Sequence, residues 1–291
     1  MSLYDHIVAC NTHDLGSFRP FIVAGKQVGW IRHELARNLG QWPEISNLAG
    51  GKVTLRGSIG DVEDRTAAVA KVCEALVAQK LLPPSRAEQF PVMAAFGDAL
   101  LMRLDRVWVP AFGVTAYGVH VNGYVETPTG PEVWIGVRSA DSLVDPGKLD
   151  NMVAGGQPVG LTLEENVIKE AAEEASVPEA LARQARPVGA LSYAMELPVG
   201  LRRAVLFVYD LHVSEDFHPV DQDGEHSSFE KMPVAEALRL VDETDRFKFN
   251  VNLVIIDFAI RHGVLTPDHR DYLKLIRGLK LGAQACCGYL P

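Results

Sequence analysis

The order of apolar and polar positions predicts short strands and helices in alternation. Phe18 to Ile31 reads as two strands around an Ala-Gly-Lys turn, and His33 to Leu39 as a helix that stops at Gly40. Lys52 to Arg56 alternates as a strand does. From Asp64 to Gln79, Val69, Val72, Cys73, Leu76 and Val77 recur at helical spacing, with Asp64 as the candidate N-cap and Pro83-Pro84 as the stop. Leu100 to Val109 is expected to be extended. Gly113 to Val125 and Glu132 to Val137 read as strands joined by a Thr-Pro-Thr-Gly turn. Pro187 to Glu196 and Arg203 to His212 alternate or run apolar and are expected as strands. Helices are expected over Val234 to Leu240, over Asn250 to His262 with Gly263 as its stop, and over Pro267 to Leu279.

One segment carries more than architecture. A glycine loop, Gly155-Gly156-Gln157-Pro158-Val159-Gly160, leads into a helix expected over Thr162 to Val177. Thr162 and Glu165 have the spacing of a capping box, which makes Glu165 structural. Glu170, Glu173 and Glu174 fall within an arc of roughly 100° and share one face. Val167, Ile168, Ala171, Ala172 and Ala175 take the adjoining arc and can face a core. Three clustered anions repel one another. A hard divalent cation with oxygen ligands would relieve that repulsion, and Lys169 stands beside the cluster to help hold it. A solvated acidic face has the same spacing and is the alternative.

Lys169-Glu170-Ala171-Ala172-Glu173-Glu174-Ala175-Ser176-Val177, with Gly155-Gly156 upstream, resembles the Nudix box, G-x5-E-x7-R-E-U-x-E-E-x-G-U with U apolar. Lys169 stands for the arginine, Ala171 for the first apolar position and Ser176 for the final glycine. The glycine loop is one residue short, and Leu161 falls where the first glutamate belongs. The resemblance implies a Nudix α/β/α sandwich with a mixed sheet, an α/β (α+β) fold. It implies metal ligation by Glu170, Glu173 and Glu174, completed by a carbonyl of the Gly155 loop. The strings AYGVHVNGYV (116–125), WIGVRS (134–139) and PGKLDN (146–151) extend the resemblance over nearly the whole chain, to the Nudix group that includes the segment fused to fungal thiamine pyrophosphokinases. An accessory α/β unit over residues 1–112 and a Nudix domain over 113–291 are expected on this basis.

Other candidates are positional. His120 and Asn122 fall on one side of their strand and are expected to line a pocket for substrate. Arg138 and Lys148 flank the glycine loop and are candidates for phosphate. Glu225, in Asp223-Gly224-Glu225, resembles the further carboxylate of Nudix loops and is the candidate for a fourth metal ligand or, with Glu174, for the general base. Arg19, Lys26, Trp30 and Arg32 are weaker ligand candidates. Trp30, Tyr117, Tyr124 and Trp134 are available to stack on an aromatic substrate.

Composition narrows the rest. The 291 residues are 47% hydrophobic with a formal net charge of −9. That balance argues against nucleic-acid and anionic-membrane partners, while a bound metal still admits an anionic substrate. Cys10, Cys73, Cys286 and Cys287 show no C-x-x-C spacing, and the polar N-terminus is unlike a signal peptide. A cytoplasmic protein is expected. The resemblance implies Mg²⁺-dependent (or Mn²⁺-dependent) hydrolysis of a small-molecule diphosphate, thiamine diphosphate or its oxidised forms. A pyrophosphatase for ADP-ribose or a related compound and a catalytically silent Nudix-fold binding module are the alternatives. Oligomeric state is open, with a homodimer as the candidate assembly.

Overall fold

The strand Thr115–Thr127, 13 residues long, sorts its side chains by alternation. Val119, Val121 and Val125 turn to one face and join the apolar cluster of the acidic helix. His120, Asn122 and Tyr124 turn to the other. The computed structural model describes residues 2–281; Cys286 and Cys287 lie outside them.

In chain order the elements are α1 (Leu3–Ala9), β1 (Phe18–Val23), β2 (Lys26–Arg32), α2 (His33–Leu39), β3 (Ser46–Ala49), β4 (Lys52–Leu55), α3 (Val62–Ala78), β5 (Gln89–Val92), β6 (Met102–Asp105) and α4 (Val109–Phe112). They continue with β7 (Thr115–Thr127), β8 (Gly130–Arg138), β9 (Leu149–Asn151), β10 (Val153–Gly156), α5 (Leu163–Ala175), α6 (Glu179–Ala182), β11 (Arg186–Leu197) and β12 (Gly200–His212). The last are β13 (His226–Pro233), α7 (Val234–Glu243), α8 (Val251–Arg261) and α9 (Tyr272–Leu281).

β11-β12-β7-β8-β13 form one path of a sheet to which β9 and β10 also pair. β12 runs parallel to β7 and the other pairings are antiparallel, so the sheet is mixed. One face packs Val167, Ala171, Ala175 and Ala182 of α5 and α6. The other packs the apolar sides of α7, α8 and α9. This is the α/β/α sandwich expected from the sequence. A second sheet, β2-β1-β4-β3, and the β5-β6 hairpin build a separate core from Phe21 to Val114 with α3. Leu3 and Ile7 of α1, and Cys10 at its C-cap, are buried with α8 and α9 rather than in that core.

Some local readings shift. The N-cap of α3 is Asp61, and Asp64 is the reciprocal member of its capping box. The stretch expected to be extended to Val109 turns at Asp105, whose carboxylate accepts from Val107 N–H and starts a 3-10 turn over Arg106–Trp108. Gly113 then closes α4 at φ +57°, where a Cβ would also meet Trp30 O at 2.2 Å, so glycine is required twice over. β5 and β13 were not expected. Ala172 of α5 is exposed, not part of the core.

Candidate active site

α5 begins as the sequence implies. Thr162 Oγ1 accepts from Glu165 N–H and the Glu165 carboxylate accepts from Thr162 N–H, at 3.2 and 2.8 Å. The helix is held along the glycine loop. Asn166 Nδ2 donates to Gly156 O at 2.9 Å, and Ala154 N–H donates to Glu174 Oε2 at 2.8 Å. Between them the Glu170 side chain lies so close to Gly155 that an added Cβ would fall 2.2 Å from its Cδ. Glycine at 155 makes room for a carboxylate.

The far end of α5 positions Glu225. Ser176 takes the left-handed conformation, φ +51°, at the position where the Nudix box has glycine. Its hydroxyl donates to Val220 O and accepts from Gln222 Nε2, each at 2.7 Å. Gln222 N–H donates to Glu173 O at 2.8 Å. The loop that leads to Glu225 is thereby tied to the end of the acidic helix.

The three helix glutamates are not equivalent. Glu174 is buried, with 4% of its surface exposed. Burial raises its pKa well above the ordinary value; the Ala154 N–H counteracts this, and the charges of Glu170, Asp150 and Glu225 add to the rise. Burial likewise raises Glu170, although Lys169 opposes it. Glu173 is half exposed and accepts from Lys169 Nζ at 2.6 Å, while the same ammonium lies 3.2 Å from Glu170. Lys169 thus sits where it was expected, between two of the three. Among the described residues no three acidic, histidine or cysteine side chains converge as a ready-made metal cage. Glu173 is turned toward Lys169, and Glu225 lies 3.8 Å from Arg138 with its side chain half exposed.

The phosphate candidates are engaged by carboxylates. Arg138, 7% exposed, donates to Asp150 Oδ2 at 2.7 Å and to Val144 O at 2.9 Å. Lys148 is paired with Asp145 and Asp245 at 3.8 and 3.9 Å. Asp150 also accepts from Lys248 Nζ at 2.9 Å. Burial pushes the Asp150 carboxyl up, but Lys248, His120 and Arg138 together bring it down to about 2.

His120 and Asn122 do share a side of β7, but they are buried in a hydrogen-bonded ribbon and line no open pocket. His120 Nδ1 donates to Asn151 Oδ1 at 2.8 Å; Asn151 Nδ2 donates to Asn122 Oδ1 at 2.8 Å; Asn122 Nδ2 donates to Asp210 Oδ1 at 3.0 Å. Burial lowers the His120 imidazole to about 4, so it is neutral near pH 7. The physical reason for the correction is that this face of the sheet is covered by α8, whose Arg261 closes the ribbon on Asp210.

Of the aromatic candidates, Tyr117 is the one beside the glycine loop: its carbonyl accepts from Gln157 N–H at 2.8 Å. Its ring packs with Phe96 and Phe207, and Phe96 is 47% exposed. Tyr124 packs against Phe258, His212 and His262, and Trp134 is buried beneath Lys231 and His218. Trp30 Nε1 is buried without a hydrogen-bond partner, Lys26 pairs with Asp98, and Arg32 pairs with Glu196.

Sequence comparison places this geometry. Nudix hydrolase 20 of Arabidopsis thaliana, named as chloroplastic, is 39% identical over 288 residues, 95% of this chain and 77% of that protein. Nudix hydrolase 24 of the same plant, also named as chloroplastic, is 41% identical over 270 residues, 92% of this chain and 74% of that protein. The chain belongs to the Nudix hydrolases. In this Nudix hydrolase, residues 2–116 also match a family model described as a domain of unknown function (DUF4743). The crystal structure of DR0079 from Deinococcus radiodurans is 22% identical with a TM-score of 0.46, covering 58% of this chain and 97% of that one.

Four residues around this site carry no signal in the sequence. Asp150 and Lys248 are 98 residues apart, and no local spacing reveals their pairing. Phe90 reaches the glycine loop from the N-terminal sheet system, with Arg106 over its ring, through a hairpin that the pattern does not disclose.

Proposed function

We propose that this Nudix hydrolase cleaves a diphosphate linkage with the help of Mg²⁺ (Mn²⁺ serving in its place) held by Glu170, Glu173, Glu174, Glu225 and the Gly155 carbonyl. The supporting observation is a pair of carboxylates, Glu170 and Glu174, packed against the glycine loop, both raised by burial, with the charge of Glu170 adding to the rise of Glu174. The donor set fits the cation. Every proposed ligand is an oxygen, the preference of a hard divalent ion, and Gly155 lacks the Cβ that would displace Glu170. Glu173 would exchange its bond from Lys169 for the metal.

Bound there, the cation would supply charge neutralisation for the phosphate oxygens and acidify water. The protein's own groups do the rest. Glu225, half exposed, takes the proton of the attacking water and passes it to solvent. Glu174, fixed by Ala154 N–H and closed off from solvent, anchors the site and is the alternative base. Arg138, held by Asp150, presents positive charge to Glu225 and orients it, which replaces its direct phosphate role.

Thiamine diphosphate or its oxidised forms, cleaved to the monophosphate and phosphate, is the proposed substrate class. Its support is the resemblance of the long sequence strings to the thiamine-linked Nudix group, together with the Phe96–Tyr117–Phe207 shelf beside the glycine loop, where an aromatic ring can stack. The same shelf suits adenine, which keeps ADP-ribose as the competing substrate. We assign residues 1–112 to an accessory unit and 113–291 to the hydrolase domain, with the cytoplasm as compartment. Cys10 and Cys73 are free and buried, which fits reducing surroundings. The test is phosphate release with Mg²⁺ from thiamine diphosphate, its oxidised analogues and ADP-ribose side by side. Predominant turnover of ADP-ribose overturns the thiamine reading; no turnover of any diphosphate overturns the enzymatic one for these substrates.

A further inference from the structure

The N-terminal sheet system does more than sit beside the hydrolase domain. Gln89 O in β5 accepts from Val159 N–H in the glycine loop at 3.1 Å. The next side chain, Phe90, fills the space over Gly156, where a Cβ would meet its ring at 2.5 Å. Arg106 follows β6, the partner strand of the hairpin, and its guanidinium lies over the Phe90 ring at 5.9 Å. Its Nη1 donates to Glu88 Oε2 at 2.9 Å, and its N–H donates to Glu88 O at 2.8 Å.

The segment bearing this pair is held by a buried carboxylate. Asp105 is buried, and its carboxylate accepts from the Ser85 hydroxyl and from Arg86, Ala87 and Val107 N–H. The Arg106 backbone is therefore fixed while its side chain stays about half exposed. Burial disfavours its charge, but Glu88 first, then Glu225 and Glu170, hold the guanidinium above its ordinary pKa. Two of those carboxylates belong to the proposed metal site. A half-exposed cation over Phe90, whose ring packs on Gly156, and within reach of their charge, is placed for an anion bound at the same loop.

We propose that Arg106, carried by the N-terminal unit, is a substrate-binding residue that donates to oxygens of the substrate's diphosphate. Glu88 holds the fork in the free enzyme. An exposed pair of this kind is weak, so an incoming phosphate displaces Glu88 readily, and the planar fork can engage two phosphate oxygens at once. The accessory unit is thus part of the active site, and the hydrolase domain alone lacks one of its phosphate contacts. This inference rests on the reading of the site as a diphosphate hydrolase.

The experiment compares wild type, Arg106→Ala and Arg106→Lys as full chains. Affinity for methylenediphosphonate, which cannot be hydrolysed at its bridge, is measured by calorimetry with Mg²⁺. Turnover of thiamine diphosphate and ADP-ribose is measured in parallel, with urea unfolding as the control. Arg106→Ala should weaken methylenediphosphonate binding and lower kcat/KM by about ten- to a hundredfold, the loss of a charge-assisted contact. Arg106→Lys should recover part of both, and the urea midpoint should not move. Unchanged binding in Arg106→Ala, no binding by wild type, or a loss that follows the urea midpoint overturns the inference. Failure of the function reading shows differently: wild type then turns over neither substrate, while the Arg106 effect on methylenediphosphonate is still read.

Discussion

Asp150→Asn separates the support of the site from its chemistry. The Asp150 side chain is 1% exposed and holds two cations, Arg138 at 2.7 Å and Lys248 at 2.9 Å. Its Oδ1 also accepts from Asn151 N–H at 2.9 Å, which links the ion pairs to the His120–Asn122 ribbon. Asparagine keeps an acceptor for that N–H but turns an amide donor toward two other donors. Two routes give the magnitude. The carboxyl is brought from 3.8 to about 2 in the folded chain, worth about 2 kcal/mol at about 1.4 kcal/mol per pH unit. Leaving buried cations without their partner costs about 3–5 kcal/mol. A loss of about 2–5 kcal/mol is therefore expected at pH 7, a Tm lowered by on the order of 10 °C.

The sign in acid follows from the same depression. The folded carboxyl titrates below the unfolded one, so its contribution is present above about pH 4 and is lost as the pH falls toward 2. Urea unfolding at pH 7 measures the size, and a series from about pH 4 down toward 2 measures the slope. Activity should fall as well, because Arg138 without Asp150 is free to close on Glu225, 3.8 Å away. Adding Lys248→Met to Asp150→Asn should recover part of the lost stability, since one orphaned cation is removed. A loss under about 1 kcal/mol, or strict additivity in the double variant, would refute the view that this pair-of-pairs is a principal buried support.

Glu174→Gln should raise the stability of the metal-free protein at pH 8 while abolishing Mg²⁺-dependent turnover. Burial raises the Glu174 pKa, so wild-type stability falls as the pH rises through the folded value, and glutamine removes that slope while keeping an acceptor for Ala154 N–H; thermal melts at pH 5 and pH 8 without metal measure it, and a variant less stable than wild type at pH 8 contradicts it. Gly155→Ala should lower kcat at least about tenfold, because the atoms nearest the new Cβ belong to the Glu170 side chain, 2.2 Å away at Cδ, which must shift; urea unfolding and initial rates decide, and full activity would show that the Glu170 position is not critical.

Local chemistry was readable in the sequence and tertiary meetings were not. The capping box at Thr162 and Glu165, the helix stop at Gly40 and the Lys169–Glu173 pair follow from spacings of a few residues, and the structure has them. The same-side placement of His120 and Asn122 was also readable from alternation. What alternation cannot say is which face of a sheet is later covered, and here α8 covers it. Asp64 precedes the apolar run and so reads as a cap, whereas Asp61, three residues earlier, has the extended backbone a cap needs. β13 reads His-Ser-Ser-Phe-Glu-Lys-Met-Pro, too polar to announce a strand; it forms because β8 offers it an edge. Arg106 had no local signal at all, since its importance comes from a hairpin folded onto a loop some 50 residues away.

Two buried carboxylates that influence each other show how this chain separates support from reactivity. Asp150 has two cations and a backbone donor, and its pKa falls to about 2. Glu174 has one backbone donor and, among the described residues, no ion pair, and its pKa rises. Burial acts on both, so the difference is made by partners. A fold selected only for stability would have given Glu174 the partner that Asp150 has, or replaced it with an apolar side chain. Instead the ammonium on the same helix, that of Lys169, is spent on Glu173 and Glu170 at the outer edge. The positive charge that Glu174 lacks is the charge that a divalent cation would bring, and the carboxylate held without it is the strongest argument in this fold for a metal-dependent hydrolase site.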